Sequence, residues 1–101
     1  MEQAKNYRLM DLIDDIKKVD AMINLHSKNS ESSFMIEQYK AKKEKLTGYL
    51  IDELVEPEYR STKSFSIIRI LIDKFYPNVS KEAQKDKEHK DLNEIEHALS
   101  A

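Results

Sequence analysis

Leu9, Leu12, Ile16, Val19, Ile23 and His26 follow one another at intervals of 3, 4, 3, 4 and 3 residues. That spacing keeps all six on one side of a helix and is the spacing of a coiled-coil seam. Asp11, Asp14, Asp15, Lys17 and Lys18 fall off the line and face water. A second run answers the first, with Ile36, Tyr39, Lys43, Leu46, Leu50 and Glu53 or Leu54 again at 3 and 4 spacing. Between them lies His26-Ser27-Lys28-Asn29-Ser30-Glu31-Ser32-Ser33, polar and rich in turn and N-cap residues. So short a connection makes the two helices antiparallel neighbours.

With the turn centred near Ser30, Ile23 faces Tyr39, Ile16 faces Leu46 and Leu12 faces Leu50. Lys43, the poorest apolar fit in the second seam, lands beside Val19 and Asp20. An Asp20–Lys43 contact would account for it. Such a pair contributes about 0–1 kcal/mol at a surface and sets register more than stability.

Helix limits follow from caps and breakers. Asn6 is placed to cap a first helix from Tyr7 to His26, and Ser32 or Ser33 a second from Phe34 to Val55 or Glu56. Ile51 and Val55 lie off the seam and require another neighbour. Gly48 costs about 1 kcal/mol against alanine inside a helix, which suggests close approach by a further helix. Glu56-Pro57 breaks the run, and one short turn can restart at Pro57. Residues 61–76 are the most apolar stretch, with Phe65, Ile68, Ile72 and Phe75 at helical spacing and Ile67, Ile70 and Leu71 widening the stripe. Its isoleucines suit a strand equally well, but a lone strand finds no partner in this sequence, so the segment reads as a helix ending ahead of Pro77. Ser80 can cap a last helix over 81–100, where only Leu92, Ile95 and Leu99 form a stripe. That segment is docked at its far end or partly disordered.

The third helix is expected across the open end of the hairpin, against Leu9, Ile13, Ile51 and Val55. Its stripe is wider than that contact covers. The surplus residues Phe65, Ile67, Ile70 and Leu71 are the candidate partner-binding site.

Composition agrees with an all-α fold of one domain, residues 1–101, with the hairpin over 7–56. Of the 101 residues 36% are charged and 40% hydrophobic, with one glycine and two prolines, too few for the turns of a sheet. The net charge of −2 offers no bulk attraction to nucleic acid or an anionic membrane. Without cysteine there is no disulfide, thiolate nucleophile or zinc–thiolate site. Met1-Glu2-Gln3-Ala4-Lys5-Asn6 lacks a signal peptide's apolar run, and no window reaches the roughly 18–20 apolar residues of a membrane span, which points to a soluble, cytoplasmic protein.

Few residues invite chemistry. His26-Ser27-Lys28 bears comparison with histidine phosphotransfer domains, which expose a mid-helix histidine with lysine three residues on; here lysine follows by two and the chain turns at once. A histidine favourable to the helix dipole is the plainer reading. Asp86-x-x-His89 and Glu94-x-x-His97 have the acid-x-x-His spacing of di-iron bundles, but only Glu53 could add an inward glutamate, so a solvated charged helix is favoured. Lys40, Lys42, Lys43 and Lys45 with Tyr39 could bind phosphates, although Glu37 and Glu44 interleave. Tyr7, Tyr39, Tyr49, Tyr59 and Tyr76 read as packing at seam edges, and Met10, Met22 and Met35 as gap fillers. No glycine loop for nucleotides and no oriented Ser/His/Asp set is present. The expectation is a non-enzyme without cofactors or metals, a protein–protein interaction module that forms a homo-oligomer, in the first place a dimer. Two alternatives stand beside it. One is a small hetero-binding protein such as an antitoxin, immunity protein or adaptor; the other is a nucleic-acid-associated regulator using Lys40–Lys45.

Overall fold

The computed structural model describes residues 2–28, 33–79, 81 and 89–100. Every regular element among them is α-helical: α1 Glu2–Lys28, α2 Ser33–Leu54, α3 Thr62–Phe75 and α4 Lys90–Ser100. The chain divides into two compact units, Met1–Ile70 and Leu71–Ala101.

The first unit is built on the hairpin, in which α1 and α2 pack closely. Its core runs from the middle of α1, Ile16 and Val19, to the last two turns of α2, Thr47, Leu50 and Leu54. Leu9, Leu12, Ile23, His26, Ile36, Tyr39, Lys43 and Leu46 are half-buried, so burial on α2 deepens toward its C-terminal end. Leu54 thus takes the last seam position, while the half-buried Glu53 meets Arg8 of α1 at 3.2 Å. The Lys43 ammonium lies 2.7 Å from the Asp20 carboxylate, the contact expected from the seam. Tyr39 stacks on His26 at 5.4 Å between ring centroids, one turn beyond Ile23. No buried side-chain polar atom among the described residues lacks a partner.

Asn6 does not cap α1. The helix starts at Glu2, and the Asn6 side-chain oxygen accepts a hydrogen bond from the Tyr59 hydroxyl at 3.1 Å. A carboxamide inside a helix has no free amide of the next turn to cap, so its oxygen serves a tertiary contact. Ser33 is the first residue of α2, and Ser32 lies outside the described residues, as does Ser80. His26 and Lys28 close α1, placing basic side chains near the carbonyl end of the dipole.

The join from α2 to α3 is local chemistry. Past Leu54 the helix tightens, with the Glu56 amide bonded to the Glu53 carbonyl at 3.2 Å. Pro57 has no amide to donate. A short turn follows, in which the Glu56 carbonyl accepts from the Tyr59 and Arg60 amides at 2.9 and 2.8 Å. Ser61 then caps α3: its hydroxyl accepts from the Ser64 amide at 3.2 Å, and the Ser64 hydroxyl accepts from the Ser61 amide at 2.8 Å. This is a capping box with serine in place of the usual glutamate. The Ser64 hydroxyl also donates to the Ser61 carbonyl at 2.9 Å, so the buried side chain is satisfied.

One expectation about a neighbour is corrected. Gly48 is exposed, and a Cβ added there would meet nothing within 4 Å, so no helix approaches it. At the open end of the hairpin Leu50 and Leu54 of α2 are buried, and on α3 so are Ser64, Leu71 and Phe75. Leu9, Ile13 and Ile51 stay half-buried there and Val55 is exposed.

In the second unit, Leu71 and Phe75 are buried, and α3 ends at Phe75, so that Tyr76, the residue before Pro77, is already outside the helix. Residue α4 Ser100 returns its hydroxyl to the Glu96 carbonyl at 3.0 Å. Residues 82–88, most of the first half of the expected last helix, lie outside the described residues.

Candidate interaction surfaces

The buried residues of α3, Ser64, Leu71 and Phe75, lie along one line, with Ile68 and Ile72 half-buried beside it. Each residue turns the helix by about 100°, and that rotation sorts the four candidate contact residues. Leu71 is 6% exposed and is not available to a partner. Ile67 and Ile70 are exposed on one flank of the buried line, and Phe65 is exposed on the other. The four therefore do not form one patch. Ile67 and Ile70 form a row with Lys63 and Lys74, both exposed, at offsets of four, three and four residues. The Lys74 ammonium sits 5.9 Å from the centroid of the Phe75 ring.

A second open face was underrated from sequence. Leu92, Ile95 and Leu99 are 57%, 58% and 83% exposed, and α4 buries no residue at all. The three lie within about 60° of one another around the helix, flanked by Asp91 on one side and Glu96 on the other. Their 3 and 4 spacing was the available signal. What spacing could not say is whether anything covers them.

The other candidates are dispersed or engaged. Lys42 and Lys45 lie three residues apart on one side of α2, and Lys40 and Lys43 three apart on the opposite side. Lys43 is held by Asp20, Lys40 lies 3.9 Å from Glu37, and Lys45 is 5.9 Å from the Tyr49 ring centroid. The four together make no common face, only the pair Lys42 and Lys45. His26 is occupied by its stack on Tyr39. Glu94 and His97 are exposed on α4, and Asp86 lies outside the described residues. No group of three or more potential metal ligands gathers among the described residues. Met22 and Met35 are half-buried, in keeping with gap filling, whereas Met10 is exposed, as are Tyr7 and Tyr49.

Among the described residues no helix is long and apolar enough to cross a membrane. No protein-family model matches the chain, and no curated protein or solved structure matches it significantly.

Proposed function

We propose that this chain is a non-catalytic protein–protein interaction module of the cytoplasm that self-associates into a helical bundle. The observation that carries the reading is α4, an 11-residue helix with no buried residue. Isolated helices shorter than about 12–15 residues are marginal in water, and helices of this length are held mainly by packing an apolar face. Leu92, Ile95 and Leu99 supply such a face and leave it open. Covering one such side chain contributes about 1.5–3 kcal/mol. The exposed Ile67 and Ile70 extend the apolar surface that a partner can cover.

The test is the solution mass of the full chain by light scattering over a concentration series. The expected result is a dimer, or a larger closed assembly, that dissociates on dilution. A monomer at every concentration would sink self-association and turn the search to a different protein as partner.

A further inference from the structure

We infer that the partner of α4 is α3 of a second copy of this chain, the two copies exchanging α4 helices reciprocally. This rests on the self-association proposed above and names the surfaces that carry it. Both faces are open in a single chain, with Ile70 60% exposed and Leu99 83%. They are also complementary. On α3 the row Lys63, Ile67, Ile70, Lys74 is apolar at its centre and basic at both ends. On α4 the stripe Leu92, Ile95, Leu99 is apolar and edged by Asp91 and Glu96.

An antiparallel seat satisfies the row from end to end. With the midpoint of Ile67 and Ile70 set over Ile95, Ile67 falls between Ile95 and Leu99, and Ile70 between Leu92 and Ile95. Equal rise per residue in the two helices then brings Lys74 to the first turn of α4, about 2 Å along the axis from Asp91 and within reach of its carboxylate. At the other end Lys63 reaches the last turn of α4, where helix carbonyls concentrate negative charge. Lys74 leaves its position over the Phe75 ring to do so. Reciprocity doubles the contact and closes the assembly under two-fold symmetry, leaving no open end to propagate a fibre. Two seats bring the buried area closer to that of a specific interface than one 11-residue helix could.

The test is a charge-reversal cycle on full-length protein, with dimer dissociation read by light scattering and helicity by circular dichroism. In a homodimer of Lys74→Glu, or of Asp91→Lys, both contacts become repulsive, and the dissociation constant is expected to rise about tenfold. Mixing the two variants one to one places Glu opposite Lys in one seat and leaves Lys opposite Asp in the other. The mixture should return to within about twofold of wild type, as should the double variant. Asp91→Lys also puts a cation at the start of α4, which disfavours that helix, so recovery on adding it cannot come from general weakening. If the wild-type dimer tolerates both reversals unchanged, the α4–α3 seat is wrong while self-association stands. If the double variant recovers but the mixture does not, the pair closes within one chain and the exchange is overturned. A monomeric wild type removes the underlying proposal and this one with it.

Discussion

The Lys43 ammonium stands 2.7 Å from the Asp20 carboxylate across the hairpin, in a seam otherwise made of apolar and aromatic side chains. The two side chains keep 12% and 30% of their exposure, which places the pair between a surface and a buried ion pair. Asp20→Asn is expected to destabilise the protein by about 1–2 kcal/mol, between the limits for those two cases. Lys43→Met is expected to be neutral or stabilising, because it removes a charge from the seam and adds apolar volume. Urea midpoints for the two variants check both signs. Equal losses would mean that the pair acts through attraction more than through relief of desolvation.

Gly48 lies inside α2, in contact with nothing at its Cβ position. Gly48→Ala should therefore stabilise by about 1 kcal/mol, the helix-propensity difference. For a chain of this size that raises the melting temperature by about 4–8 °C. Thermal melts followed at 222 nm would show it, and a fall in melting temperature would mean that a neighbour reaches Gly48 in solution.

Leu50 and Leu25 are both leucines on hairpin helices, but Leu50 is buried and Leu25 exposed. Leu50→Ala should cost about 2–5 kcal/mol, transfer and cavity together. Leu25→Ala should stay within about 0.5 kcal/mol. Since small domains hold only about 5–15 kcal/mol in total, the first variant should be partly unfolded near physiological temperature. Chemical denaturation of the pair measures the contrast directly.

Ser61→Ala removes the acceptor for the Ser64 amide and should cost about 0.5–2 kcal/mol. The effect should appear as faster amide exchange at Ser64, with the hairpin amides of α1 and α2 little changed. Ser61→Asp restores an acceptor at the positive end of α3 and should recover most of the loss.

Local periodicity was enough to read the hairpin. The seam through Ile16 and the seam through Leu50 each define a helix face, and the short polar connection leaves only an antiparallel pairing. The Asp20–Lys43 contact follows from that register, and the break at Pro57 from its missing amide. The Ser61–Ser64 cap went unread, because a serine in the glutamate position does not match the usual capping-box pattern.

Which apolar residues stay covered was not legible in this way. Ile67, Ile70 and Leu71 look alike in a stripe, yet Leu71 is buried and the two isoleucines are not. Gly48 suggested a neighbour that is absent, and Asn6 suggested a cap where the structure has a bond to Tyr59. Leu92, Ile95 and Leu99 keep regular spacing but remain open. A sequence pattern records which side chains would gain from leaving water. Only the positions of neighbouring elements decide which of them do so, because burial belongs to a pair of surfaces and periodicity to one.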